Sequence, residues 1–224
     1  MLGFSNIVKG NSKKAWDILN KLYKLLLIIP ERITVSSTRQ NITNTVKSIF
    51  FSDTIILYTE QDNFEDLFSI FLTATNFFFQ SMLLGIPLRG GIAHGDFFVD
   101  TSKNLYMGMP LIKAYKAGEK AQWLGIIVED DIYRTQLADY PEMKYDHYFV
   151  EWDVPLEDNK TEKEIVINWP YVFQGIIRFK ETTKEWYELY RFNELFGVYE
   201  NLEVTAKNIY ENTQNFIKTQ KIDK

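Results

Sequence analysis

The chain has no cysteine and only two histidines, His94 and His147. Without cysteine there can be no disulfide, no thiolate zinc site and no cysteine nucleophile. Neither histidine has an acidic residue or a second histidine at ligand spacing, so a zinc site is not expected. A Gly-x-Ser-x-Gly elbow, which would carry a serine nucleophile, is also lacking. These absences exclude the commonest thiol, zinc and serine chemistries.

An excess of positive charge is lacking as well, since the formal net charge is −5. No global basic field would attract nucleic acid or an anionic membrane, and neither is expected as a partner. No basic and then apolar leader precedes the first helix pattern, so we expect a cytoplasmic protein.

Hydrophobic residues make up 46% of the 224 residues and aromatic residues 16%, enough for the core of a single domain over residues 1–224. The larger aromatic residues are expected in this core rather than as platforms for nucleic-acid bases. The tryptophans concerned are Trp123, Trp152, Trp169 and Trp186.

The longest uncharged stretch, Leu67–Leu88, is long enough to cross a bilayer. It contains polar residues at spacings of four, three and four, which are Ser69, Thr73, Asn76 and Gln80. This spacing places them in one stripe on a helix, which favours a helix packed on a sheet over a membrane span.

Apolar spacing and breaker residues predict an alternation of helices and strands. The predicted helices are Ser12–Ile29, Phe64–Leu84, Met109–Lys120, Thr182–Leu195 and Leu202–Lys218. The predicted strands are Val46–Phe51, Thr54–Tyr58, Leu88–Val99, Gly125–Val128, His147–Trp152 and Glu164–Asn168, with a polar loop at Pro155–Lys163. This order predicts an α+β fold with a ferredoxin-like core, an antiparallel sheet and a C-terminal helical extension. The core motifs lie in residues 1–128, and residues 145–224 supply the C-terminal strands and helices.

Several polar residues have both a structural and a chemical interpretation. Asp53 lies at a predicted hairpin tip, where Asp is a favoured turn residue but would also suit a metal ligand. Arg89 opens a glycine-rich strand, either as a solvated strand-end residue or as a phosphate clamp beside bare backbone. Leu2–Ser5 is either a frayed terminus or an anion cradle of backbone amides before the first helix. Asp130 and Asp131 could bind metal, although capping of the next helix is the simpler role.

Three short motifs occur in a recognisable order: Gly3-Phe4-Ser5 before a helix, Phe51-Ser52-Asp53 in a hairpin, and the strand Arg89–Gly95. Together they resemble the catalytic domain of the class III nucleotidyl cyclases. Within that family the chain is most similar to the bacterial pyrimidine cyclases of Pycsar-type antiphage systems. The resemblance covers residues 1 to about 128.

The resemblance implies an enzyme that converts UTP or CTP to a 3′,5′-cyclic monophosphate, a second messenger in antiphage defence. In the family, two aspartates hold two Mg²⁺ or Mn²⁺ ions, while the ribose 3′-hydroxyl attacks the α-phosphorus and expels pyrophosphate. Asp53 matches the second metal aspartate, and Arg89 matches the arginine that contacts the triphosphate. The resemblance implies that the backbone amides of four consecutive residues contact the phosphates. These residues are Leu2, Gly3, Phe4 and Ser5.

Other positions depart from the family pattern. The first metal aspartate would come immediately before Met1, so Met1 is the residue nearest to that metal position and Asp53 is the one metal aspartate that the chain supplies. We therefore expect weak activity or none from the chain as given. The alternative is a pseudo-cyclase that binds a nucleotide or a partner without turnover, and a third possibility is an interaction scaffold whose motif matches are accidental.

The base-reading and transition-state positions also differ from those of purine cyclases. Ile49 stands where these enzymes have a lysine that reads the base, so selectivity for a purine is not expected. Ile112 and Lys116 stand where they have an asparagine and an arginine. Lys116 either supplies charge to the reaction or is a solvated helix residue. The resemblance also implies a homodimer with the active site at the interface.

Overall fold

The structure is a computed structural model and describes residues 4–27, 32–35, 40–140, 147–177 and 192–220. It mixes helices with small sheets, as the predicted α+β class requires. Residues of the chain group into two compact units, Met1–Pro87 and Leu88–Lys224, and each is described by itself.

In its described residues the first unit combines three helices with two antiparallel strand pairs. The helices are α1 (Phe4–Gly10), α2 (Ser12–Leu27) and α3 (Phe64–Leu83). The strand pairs are β1 (Arg32–Val35) with β2 (Gln40–Thr43), and β3 (Lys47–Phe51) with β4 (Thr54–Tyr58).

Helix α2 begins where Asn11 caps it, because the Asn11 Oδ1 accepts a hydrogen bond from the Lys14 backbone at 2.9 Å. Ala15 and Leu22, two apolar residues seven positions apart on one side of the helix, are buried. The predicted range continues to Ile29, which lies outside the described residues.

Helix α3 agrees closely with its predicted range. The side chain of Asn63 caps it by accepting from the Asp66 backbone at 2.9 Å. Within the predicted polar stripe, Ser69 and Thr73 are buried while Asn76 is exposed, so the stripe does not follow a solvent-facing edge. Among the described residues no helix has both the length and the hydropathy needed to span a membrane.

The second unit is organised around a four-stranded sheet in the order β5–β8–β10–β9. Its strands are β5 (Gly90–Ile92), β8 (Ile126–Val128), β9 (Phe149–Pro155) and β10 (Thr161–Ile167), and a separate hairpin pairs β6 (Phe98–Asp100) with β7 (Leu105–Met107). The β10–β8 and β10–β9 pairs are antiparallel, as predicted for the sheet, whereas β5 runs parallel to β8. A parallel pair needs a crossover, which here contains helix α4 (Met109–Lys120).

The strand predicted over Leu88–Val99 is interrupted. It forms β5 and then β6, with the left-handed glycine Gly95 (φ 136°) between them. β5 joins the large sheet, whereas β6 pairs with β7. The glycines at 90, 91 and 95 indicate a bend or a close backbone approach in this strand-like stretch, and the structure has the bend at Gly95, where the chain turns away from the sheet.

The polar loop predicted at Pro155–Lys163 is shorter than expected, because both of its ends belong to strands. β9 continues to Pro155 and β10 starts at Thr161, so the two strands form a hairpin closed by a 3₁₀ turn at Glu157–Asn159. Asp158 adopts a φ of 58° in that turn. Charged residues in the hairpin suggested a loop, but they lie mostly on exposed strand positions, where charge does not oppose pairing.

Four more helices lie in the described residues of this unit. They are α5 (Asp130–Arg134), α6 (Trp169–Ile177), α7 (Phe192–Phe196) and α8 (Val204–Thr219), with 3₁₀ turns at Gln136–Asp139 and Tyr199–Asn201. α8 agrees with the predicted last helix. Most of the predicted helix Thr182–Leu195, including Trp186, lies outside the described residues.

An aromatic cluster forms the core beside α8. The rings of Trp123 and Phe216 have centroids 4.4 Å apart, and the Trp152 ring lies 4.6 Å from that of Trp123. The Trp169 indole donates to the Leu124 carbonyl at 3.1 Å. Trp123 and Trp169 are fully buried, which confirms their prediction as core residues.

Helix α4 packs so closely on β5 that only glycine fits at the contact. A Cβ at Gly91 would lie 2.6 Å from the Ala114 carbonyl oxygen and 2.8 Å from the Ala117 Cβ. A Cβ at Gly118 would lie 3.0 Å from the Gly90 Cα. The predicted close approach of backbone in this strand is therefore a helix–strand contact.

Replacement of Gly91 by alanine should destabilise the second unit. The added methyl would overlap a backbone oxygen of α4, and overpacking of this kind costs about 1–3 kcal/mol. Urea unfolding of Gly91→Ala would measure the loss. Gly90→Ala is the matched control, because no described atom lies within 4 Å of its Cβ position and its stability should change by less than about 0.5 kcal/mol. Equal stability of the two variants would contradict the close packing of α4.

Candidate functional site

Asp53 lies at the tip of the β3–β4 hairpin, as predicted. The connection has two residues, Ser52 and Asp53, between the paired Phe51 and Thr54. Ser52 has a φ of 54° and Asp53 a negative φ, the combination found in type II′ turns. Asp53 is half-buried. A two-residue turn between paired strands fixes the backbone of this carboxylate, which is what a metal ligand requires.

The hairpin is attached to the rest of the first unit through its aromatic residues. The ring of Phe50 contacts the Tyr23 ring of α2 edge to face, with centroids 6.4 Å apart. Ile49 lies opposite Ile56 and is half-buried. The position at which purine cyclases have a base-reading lysine is therefore occupied by an apolar cross-strand pair.

The amino-terminal motif differs from its prediction in secondary structure. Met1, Leu2 and Gly3 lie outside the described residues. Phe4 and Ser5 belong to helix α1, whereas the sequence suggested a turn that precedes the first helix. Phe4 is buried, so its apolar side chain contributes to packing.

Arg89 precedes β5 and reaches the end of α4. Its Nη1 donates a hydrogen bond to the Ala121 carbonyl oxygen at 2.6 Å, at the C-cap of that helix. A cation is favoured at this end because the last carbonyls of a helix carry partial negative charge. Burial lowers the pKa of Arg89, while the nearby charges of Glu119 and Glu157 act in the opposite direction.

The end of α4 is held by further contacts with the β9–β10 hairpin. The Lys120 ammonium group pairs with Glu162 at 2.7 Å and also with Glu164. The Gln122 backbone donates to the Pro155 carbonyl at 2.8 Å. Arg89 is therefore part of a set of contacts that orient α4 against the sheet.

Lys116 is exposed on the middle of α4. Ile112, one turn earlier on the same helix face, is also exposed. Both residues belong to the second unit, as does Arg89, whereas Asp53 and Ile49 belong to the first.

Glu129, which follows β8, was not singled out from the sequence. One of its oxygens accepts from the His94 backbone at 3.1 Å, and the other pairs with Lys113 of α4. Asp130 and Asp131 lie in the first turn of α5, where negative charge is favourable, as expected of a helix start. In the residues that the structure describes, no group of three or more His, Cys, Asp or Glu residues is arranged to hold a metal ion.

Comparisons of the chain with protein-family models, with curated proteins and with solved structures find no match.

Replacement of Arg89 by glutamine should destabilise the protein by about 1–3 kcal/mol, because the buried Ala121 carbonyl would lose a charged donor. Chemical denaturation would measure the loss. Lys116→Gln removes the same charge from an exposed position and should leave stability within about 0.5 kcal/mol of the parent. If the Arg89→Gln variant is as stable as the parent chain, the contact with α4 does not stabilise the fold.

Proposed function

We propose that the chain is a class III-like nucleotidyl cyclase that converts UTP or CTP to the 3′,5′-cyclic monophosphate and pyrophosphate. In this proposal the product is a second messenger in antiphage defence. The observation that carries it is the β3–β4 turn, where Phe51-Ser52-Asp53 presents a carboxylate on a two-residue hairpin.

Asp53 would bind Mg²⁺ or Mn²⁺ together with the triphosphate. A carboxylate and phosphate oxygens are the ligands that hard divalent ions prefer. The metal would neutralise the phosphates and stabilise the attacking and leaving oxygens during displacement at the α-phosphorus. In the family pattern a second aspartate belongs beside Met1, and the amides of Leu2, Gly3, Phe4 and Ser5 face the phosphates.

Arg89 would contact the triphosphate without losing its bond to α4. A guanidinium has five N–H donors, so the single bond to Ala121 orients the group and does not exhaust it. Beside it, the space on the Cβ side of Gly90 is open, although the backbone of Gly90 packs against Gly118 of α4. Open space beside an arginine is compatible with close approach of a phosphate.

The finer fold assignment is part of the same proposal. A ferredoxin-like cyclase core would contain the β3–β4 hairpin and the β5–α4–β8 crossover, both of which occur in the expected chain order. The apolar Ile49–Ile56 pair favours a pyrimidine, since it offers no donor to a purine ring.

A homodimer is supported by an exposed apolar surface on the β6–β7 hairpin and α4, here named the hairpin–helix surface. Its side chains are between 46% and 66% exposed, and they are Phe98, Leu105, Met107, Met109, Ile112 and Tyr115. Together they present roughly 700 Å² of side chain, close to the area that each partner buries in a standard interface. Lys116 lies one turn from Ile112, so a second copy that covers this surface would lie beside Lys116, in keeping with a shared active site.

Disruption of the hairpin–helix surface should convert the dimer to a monomer. Met107→Glu combined with Ile112→Glu places charges in the centre of the proposed interface, and sedimentation velocity would report the change in mass. Val204→Glu is the control, since Val204 is equally exposed but lies at the start of α8. A parent chain that sediments as a monomer at all concentrations would refute the dimer.

Asp53→Asn should lower cyclic product by at least about 100-fold, because loss of a metal ligand removes several kcal/mol of charge stabilisation. The assay incubates the full chain with Mn²⁺ and each of the four nucleoside triphosphates, and it measures cyclic product and pyrophosphate. Product is expected from UTP or CTP. Asp17→Asn, an exposed aspartate of α2, should retain the parent activity. Equal activity of the Asp53 variant would contradict its role.

A second candidate is a nucleotide-binding pseudo-cyclase without turnover. It is favoured by the hydrogen bond from Arg89 to the Ala121 carbonyl, which gives this guanidinium a structural role. In the same samples it predicts a higher melting temperature with UTP or CTP and no pyrophosphate, because a ligand at 100 times its Kd stabilises by about 2.7 kcal/mol. If the samples show neither cyclic product nor stabilisation by a nucleotide, both candidates are refuted.

A further inference from the structure

Helix α2 has an apolar stripe that the described part of the protein leaves largely exposed. Trp16 and Leu27 are each 66% exposed, while Tyr23, whose ring contacts the Phe50 ring edge to face, is 51% exposed. Steps of seven and four residues place all three within roughly 40° of one another around the helix. The buried residues Ala15 and Leu22 lie on a different part of its surface. The apolar arc of α2 is thus wider than the part that packs on the rest of its unit.

Positive charge is concentrated on the same segment. Residues 4–27 contain one acidic residue, Asp17, and no arginine. They contain five lysines, all exposed, which are Lys9, Lys13, Lys14, Lys21 and Lys24. The segment therefore carries a net charge of +4 in a chain whose total is −5. The negative net charge of the whole chain argues against an anionic partner, but it does not reveal that this segment is positively charged.

Two of the lysines border the apolar stripe. On the helical wheel, Lys13 and Lys24 lie on the flank of the Trp16–Leu27 side, the exposed Asp17 comes next, and Lys14 and Lys21 lie on the far side, roughly 150° from Trp16. A helix with an indole, a phenol and an aliphatic side chain beside lysines has the composition of an interfacial membrane helix. Lysine stems can lie along the apolar boundary while the ammonium groups reach the headgroups.

We propose that α2 docks this protein on an anionic lipid surface, with Trp16 and Leu27 entering the headgroup region and Lys13 and Lys24 contacting lipid phosphates. The inference concerns a helix that lies in the interface and does not span the bilayer. It does not depend on the proposed cyclase function, since it uses none of the residues assigned to that site.

A lipid surface fits this helix better than a nucleic acid does. The exposed stripe includes the aliphatic Leu27, which has no stacking partner among bases. The cations are all lysines, whereas recognition of nucleic-acid phosphates and bases favours the bidentate guanidinium of arginine.

The primary experiment measures co-sedimentation of the full chain with lipid vesicles. Vesicles of phosphatidylcholine alone are compared with vesicles that contain about 30% phosphatidylglycerol. We expect at least about tenfold stronger partitioning onto the anionic vesicles, and a loss of most of it when salt is raised from about 0.1 to 0.5 M. Equal binding to both vesicle types, or none to either, would overturn the proposal.

Matched variants then test whether α2 is the docking element. Lys13→Gln with Lys24→Gln should weaken partitioning at least about tenfold, since each lysine near an anionic surface contributes about fivefold. Lys160→Gln with Lys163→Gln removes the same charge from exposed residues of the β9–β10 hairpin and should change partitioning by less than about twofold. Equal losses in the two double variants would refute a role specific to α2.

The apolar contribution is tested separately. Trp16→Ala with Leu27→Ala should weaken binding to anionic vesicles at least about tenfold while the melting temperature stays unchanged, because both side chains are exposed. Unchanged partitioning would refute insertion. Two other outcomes would also overturn the proposal if the protein does not bind vesicles. Lysine-dependent binding to a single-stranded oligonucleotide would indicate a nucleic acid as the partner. Self-association that Trp16→Ala abolishes would indicate a second copy of the chain.

Discussion

The approach of α4 to β5 is the contact on which most of the second unit depends. Gly91 and Gly118 allow backbone to touch backbone between a strand and a helix. The short separation between α4 and β5 lets Arg89 reach the Ala121 carbonyl, and β5 pairs with β8 beneath the helix. It also decides which side of α4 faces outward. A larger residue at either glycine would therefore displace several features at once, including the exposed face that carries Lys116.

Much of the fold could be predicted because its determinants are local. The β3–β4 hairpin and helix α3 follow from side-chain periodicity and from turn or capping residues within a few positions, such as Ser52 and Asn63. The ends of the loop predicted at Pro155–Lys163 were wrong, because pairing between β9 and β10 extends the strands there. Charged residues on the exposed face of the strands do not prevent this pairing. The break at Gly95 separates strands that join different sheets, and local composition carries no information about which sheet a strand joins.

The candidate site shows the same division between local and long-range information. The position of Asp53 at a hairpin tip was predictable from two β-rich runs and a turn sequence. The bond from Arg89 to Ala121 and the pairing of Glu129 with Lys113 join residues far apart in the chain, so they appear only once α4 is docked. Charge behaves likewise, since the overall total predicted no anionic partner while the exposed side of α2 has the opposite sign.

The mixed sheet of the second unit also has a consequence for the order in which it folds. β9 and β10 are joined by a short turn, so their pairing closes a small loop at little entropic cost. β5 and β8 are separated by the intervening hairpin and α4, so their pairing closes a much longer loop. We therefore expect the local hairpin to form early and the parallel pair to limit the rate of folding, because topologically distant contacts slow the search for the native state.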